Sequence, residues 1–187
     1  PSFVPPDLFV STALLVKESP AEMIGKLEHG ITKHGLPQTF AAPLALCAVG
    51  HDSVTRKTAA DALASIFSSL RRRSAEFRER YASTMDAAVL NRTALTQSAE
   101  YTLPYLVFLL AHHPDLPSKE TGAANKGVAY RPFQQMLSFL VGTLTAGSKQ
   151  CLPAAMKMMS LMKRTVDATN VDLSHGLYVM ADIALLV

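Results

Sequence analysis

The stretch FAAPLALCAVGHDSVTRKTAADAL, Phe40 to Leu63, decides the fold. Its first half is apolar almost without interruption, with small alanines at 41, 42, 45 and 48 and a proline at 43. Pro43 lacks a backbone donor, so it bends whatever helix contains it. Gly50 closes that segment. Asp52 then stands where a side-chain oxygen can accept from the unpaired backbone donors of a following helix. Alanines on both halves let the two pack closely, and so short a join makes them an antiparallel hairpin.

Helical periodicity continues on both sides, and no run alternates polar and apolar residues as a half-buried strand would. The chain therefore reads as all-α. Helix starts are expected after Pro6-Asp7, at Ser19-Pro20, after Leu36-Pro37, at Asp52-Ser53, and near Ser98, Pro132, Ser148 and Ser174. Gly30, Gly35, Gly50 and Gly147 fall in the expected joins. The series Leu63, Phe67, Leu70, Ser74, Phe77, Tyr81 gives one helix, or two collinear ones, a single buried stripe. Between His113 and Arg131, HPDLPSKETGAANKGVAYR clusters Pro, Gly, Ser, Asn and charge without apolar period, and is expected to be a flexible loop open to proteolysis near Lys119 or Lys126.

At 187 residues and 49% hydrophobic, the chain has ample material for a core and is read as one helical segment, 1–187. Its longest apolar stretches, Phe40 to Val49 and Leu103 to Ala111, fall short of the roughly 20 residues a spanning helix needs, so no membrane association is expected. A net charge of +3 permits acidic partners but is far from the dense basic stripe of a dedicated nucleic-acid module. Cys47 and Cys151 sit in separate apolar segments and read as buried, reduced thiols of a cytosolic or nuclear protein. Phe3, Leu8 and Phe9 at one end and Ile183, Leu185 and Leu186 at the other have the apolar character of faces that cover neighbouring repeats, which suggests a piece of something longer.

The Phe40 to Leu63 unit resembles a HEAT repeat, carried by Pro43, Asp52, Val54, Ala60 and Leu63. Weaker echoes occur at Leu103-Pro104 with Leu106, Leu109, Leu110 and Asp115, and at Leu152-Pro153 with Met156 and Met159. Repetition at this period implies an α-solenoid. Three ordered stretches are more specific: Tyr101 to Asp115 (YTLPYLVFLLAHHPD), Lys157 to Ala168 (KMMSLMKRTVDA) and Leu177 to Ala184 (LYVMADIA). With Leu46-Cys47-Ala48, they resemble the cohesin-associated precocious-dissociation-of-sisters (Pds-five) family, near the C-terminal end of its HEAT solenoid, from about Ala21 to Val187. His113, where the family usually has Asp, and Arg164 and Val166 depart from its pattern. The resemblance implies a nuclear, chromatin-associated regulator of sister chromatid cohesion, with roles in the cell cycle, cell division and DNA repair. It would bind the kleisin subunit of cohesin and the wings-apart-like releasing factor. It assigns no binding residue here, because the family's best-known contacts lie largely upstream.

Nothing in the residues argues for catalysis, since no nucleophile elbow, phosphate loop, HExxH or dinucleotide fingerprint occurs. No enzyme activity, cofactor, metal or small-molecule substrate is expected. His112 and His113 are adjacent, so on a helix they point about 100° apart and cannot chelate one ion from one face; they read as the last turn of an apolar helix stopped by Pro114. His29 and His34 fail the same spacing test. The methionines at 156, 158, 159 and 162 read as core filling, with Met156 and Met159 on one stripe with Leu152. The candidate partner-binding patch is Arg71, Arg72, Arg73, Arg78 and Arg80, with Arg56 and Lys57 as a possible extension. Guanidinium pairs bidentately with carboxylate or phosphate, so the patch suits an acidic segment of a partner or, in an alternative reading, nucleic acid.

Overall fold

A computed structural model describes residues 6–117, 123–148, 151–167 and 169–187. Among these, every regular element is a helix and no strand occurs. The α-helices are α1 (Pro6–Glu18), α2 (Pro20–Lys33), α3 (Ser53–Tyr81), α4 (Ala87–Thr96), α5 (Thr102–Ala111), α6 (Ala123–Gly147), α7 (Leu152–Met162) and α8 (Ser174–Leu186). A 3₁₀ helix runs over Gln38–Ala48.

Neighbour relations show the solenoid. One layer runs α1, the 3₁₀ segment, α5 and α8; the other runs α2, α3 and α6. Hairpin pairs α1/α2, 3₁₀/α3 and α5/α6 join the layers, so each unit lies mainly against the next. The 3₁₀ segment touches α1, α2, α3, α5 and α6, and every residue from Thr39 to Cys47 is buried. The sequence led us to expect a Pro-bent α-helix there. A 3₁₀ helix is narrower, and runs beyond three or four residues are uncommon because its hydrogen bonds are poorer. Here burial on all sides favours the thinner rod. Ala41, Ala42 and Ala45 are wholly inaccessible, leaving room for the neighbours that crowd them.

The hairpin signals hold in detail. Asp52 accepts from the backbone N–H of Thr55 at 2.8 Å and from its hydroxyl at 3.0 Å. Gly35 (φ 70°) and Gly50 (φ 79°) close the segments before the 3₁₀ helix and α3 in the left-handed region that glycine adopts without strain. Gly30 instead lies inside α2, and Gly147 is the last residue of α6. The α3 stripe forms one helix: Leu63, Phe67, Leu70 and Ser74 are buried, while Phe77 is half-buried and Tyr81 exposed. Those last two rings pair with each other, centroids 4.8 Å apart. The short helix α4 is capped by Asp86, which accepts from the N–H of Ala88 at 2.9 Å and of Val89 at 3.2 Å, and packs under this end of α3, where Ser74 Oγ donates to Ala94 O at 3.1 Å.

Two expectations require correction. The breaker-rich stretch reads as loop as far as Arg131, yet α6 begins at Ala123 and carries Pro132 within it. Gly and Pro inside a helix cost about 1 and 3 kcal/mol. Two ring burials in this helix offset them, since Phe133 is buried and Tyr130 packs half-buried against the core. Residues 118–122 of that loop, and Phe3 of the apolar opening, lie outside the described residues. The second correction concerns α7: its inner face is Ala155, Met158 and Met159, while Met156 and Leu152 are exposed. The methionines still contribute to the core, but on a stripe rotated from the one anticipated.

Candidate partner-binding surface

The arginines of α3 do not form one patch. Residues 71, 72 and 73 step about 100° apart around the helix, so they meet three different surroundings. Arg71 turns inward, donating through Nη2 to the carbonyl of Leu144 at 2.6 Å, in the last turn of α6. Its Nε lies 3.8 Å from Glu100. Arg73 donates through Nη2 to Ile31 O at 2.9 Å, near the end of α2. Both therefore serve helix C-termini, where carbonyls lack intrahelical donors and the dipole favours a cation. Arg72, Arg78 and Arg80 are exposed, and Arg72 lies 3.9 Å from Glu76 one turn on. Arg56, also exposed, donates to His51 O at 3.3 Å and lines a shallow groove with Arg131, Gln134, Gln135 and Ser138.

A cleft of about 870 Å³ opens beside Arg73, between the α2–3₁₀ join, α3 and α4. Its walls carry Arg92, Thr93 and Thr96 from α4, Gln97 just after it, Gln38 from the 3₁₀ segment, and the rings of Tyr101 and Tyr105. The Gln38 amide donates to Thr96 O, tying α4 to the 3₁₀ segment. The two tyrosine rings meet edge to face at 6.0 Å, and Tyr105 also meets Phe9 of α1 at 6.3 Å. Sequence reasoning missed this cleft. Its residues come from four separated segments, and of its two arginines only Arg73 belongs to the basic run read from the sequence.

The three ordered stretches singled out in the sequence converge at the far end of the array. His112, at the end of α5, places Nδ1 2.8 Å from Phe108 O, and Nε2 3.0 Å from Thr169 Oγ1 and 3.3 Å from Asp167 Oδ2. The Asp167 side chain is wholly buried. Its Oδ1 accepts from the backbone N–H of Thr169 (2.8 Å) and of Asn170 (3.0 Å) and from the Thr169 hydroxyl (2.7 Å). Its own N–H donates to Ser174 Oγ at 3.0 Å, at the start of α8. Burial pushes this carboxyl up, but the Asn170 and Thr169 donors and nearby His112 outweigh it and hold it below the usual carboxylate range. Lys163 pairs with Asp182 at 2.5 Å, and Tyr178 donates to Thr165 O at 2.7 Å. His112, Lys163, Asp167, Tyr178 and Asp182 each meet a residue of these stretches or one beside them. They form a clasp that holds α5, the α7–α8 connection and α8 together.

The histidines thus do structural work. His113 is pushed below its ordinary value by burial, moderated by Asp115, and its ring stands edge-on to Phe133 at 5.5 Å. His29 and His34 lie ring to ring at 4.8 Å. Both cysteines are free and buried; burial raises the Cys47 thiol to about 11.

With a two-layer helical array and a clasp built from the three ordered stretches, comparison with known families becomes decisive. The model of the family described as sister chromatid cohesion protein PDS5 matches residues 1–187. The chain belongs to the PDS5 family. No curated protein matches the sequence individually. PDS5 proteins act in sister chromatid cohesion and associate with the cohesin complex; they are regulatory scaffolds and not a known enzyme family. Among the described residues, no helix is long and apolar enough to cross a membrane.

Proposed function

We propose that this chain is a non-enzymatic scaffold segment of a nuclear cohesin regulator, which helps maintain and release sister chromatid cohesion by binding the kleisin subunit and the wings-apart-like releasing factor. The observation that carries this reading is the PDS5 match over the whole chain. The two-layer helical array is consistent with it, because stacked hairpins present long surfaces to extended partners. Retention of a kleisin fragment by the segment, and by a longer PDS5 chain containing it, is the test. If the longer chain retains kleisin and the segment does not, the segment supports the solenoid without binding.

The second reading, contact with nucleic acid or another acidic partner, rests on Arg72, Arg78 and Arg80, exposed along the outer end of α3. No carboxylate among the described residues lies within 4 Å of Arg78 or Arg80. Phosphate binding weakens steeply with salt, so DNA affinity that is flat between low and physiological salt would remove this alternative.

A further inference from the structure

The cleft between α3 and α4 combines cationic walls with two tyrosine rings. It carries two guanidinium groups, Arg73 and Arg92, and no aspartate or glutamate among its lining residues. Neither arginine has a carboxylate within 4 Å among the described residues. Arg73 is also fixed in place. Its Nη2 is held by Ile31 O at 2.9 Å, and its Nε is buried with no hydrogen-bond partner. A cation anchored at a cleft wall without a counter-charge has its side-chain ordering cost already met, which favours binding an anion there. Arg92 stands exposed on α4.

The other walls say which anion. Tyr101 and Tyr105 supply rigid aromatic surface, and Thr93, Thr96 and Gln97 supply neutral donors and acceptors of the kind that bond a peptide main chain. Nucleic-acid sites use extended rows of cations to match repeated phosphates, and two arginines in a recess are too few. We infer that this cleft is a docking site for an extended acidic peptide segment of a protein partner, with a carboxylate held by Arg92 and Arg73 and an apolar or aromatic side chain against Tyr101 and Tyr105. This deepens the scaffold reading and rests on it, by naming the chemistry of one partner segment and where it lies.

The probe is a short fluorescein-labelled peptide of alternating glutamate and tyrosine, titrated with the chain and followed by anisotropy at low salt. Arg92→Glu reverses an exposed charge in the cleft; Gln97→Glu adds a carboxylate there without bulk. Both positions are exposed, so the fold is retained, with circular dichroism as the check. Each should weaken binding about tenfold or more, the scale of a lost charge-assisted hydrogen bond. Arg78→Glu with Arg80→Glu, outside the cleft, should change it less than about twofold. Equal losses from the two sets would mean diffuse attraction to a basic helix and would overturn the assignment. So would absence of binding, or displacement by a single-stranded oligonucleotide at lower concentration than by unlabelled peptide. The two readings fail separately: kleisin retained without peptide binding sinks the cleft alone, whereas peptide binding through Arg92 supports the cleft even if kleisin is not retained.

Discussion

Replacing Asp167 by alanine tests whether the clasp holds the last hairpin in place. The wild-type carboxylate is fully buried and accepts three hydrogen bonds between 2.7 and 3.0 Å, with His112 Nε2 at 3.3 Å. Hydrogen bonds to a charged group contribute about 1.5–3 kcal/mol each. Three of them give a gross loss of about 5–9 kcal/mol. Thr169 and Asn170 are exposed, so water recovers part of it once the carboxylate is gone. The net cost is about 3 kcal/mol, the lower end of what removing one partner of a buried charged pair costs. For a chain of this size each kcal/mol lowers Tm by about 2–4 °C, so Asp167→Ala should melt about 6–12 °C below the parent by calorimetry. Asp167→Asn keeps the shape and one acceptor oxygen but loses the charge, and should fall between the two. The pH dependence has a definite sign. A carboxyl whose folded-state value is lowered contributes stability above its unfolded value, and loses that contribution as pH falls through the folded one. The Tm gap between parent and Asp167→Asn should therefore shrink as pH drops below about 4. An alanine variant within 2 °C of the parent, as an order-of-magnitude threshold, would refute the reasoning: the α7–α8 connection would then be held by Lys163–Asp182 and Tyr178 alone.

A Cβ on Gly147 would clash with Arg71 Nη1, so Gly147→Ala should force Arg71 off the Leu144 carbonyl and cost about 1–3 kcal/mol. In an Arg71→Met background the same change should cost little, and additive losses in urea melts would show that the contact is not the cause. Ala45→Phe places a ring where no accessible space remains beside the 3₁₀ segment, and should cost at least about 3 kcal/mol or abolish folding, read as lost thermal cooperativity. Cys47, buried and with its thiol raised to about 11, should not react with a thiol-specific disulfide reagent at pH 8 until the protein is unfolded; rapid labelling of the native chain would mean that the central segment opens readily.

The local rules settled a good deal without any structure. Asp52, Gly50 and the apolar run before them predicted a hairpin at Phe40 to Leu63, and the hairpin is there, because capping and positive φ depend only on residues a few positions apart. The period of Leu63, Phe67, Leu70 and Ser74 gave the inner face of α3 for the same reason. The start of α6 is not legible in the sequence because Gly127 and Pro132 are local breakers, and their cost is outweighed only by burial of Tyr130 and Phe133 against other helices. The arginines show the limit most clearly. In sequence Arg71, Arg72 and Arg73 are equivalent members of one basic run, yet two of them reach carbonyls 73 and 42 residues away while the third faces water. Which helix end lies beside a given side chain is decided by how hairpins stack. The same holds for the cleft, whose lining comes from four segments, and for His112 and Asp167, which are 55 positions apart in the chain (167 − 112) and 3.3 Å apart in space. Periodicity and capping act over one or two helical turns, so they fix where helices form; charge pairing and cavity shape depend on the packing of whole elements, and only the tertiary structure decides them.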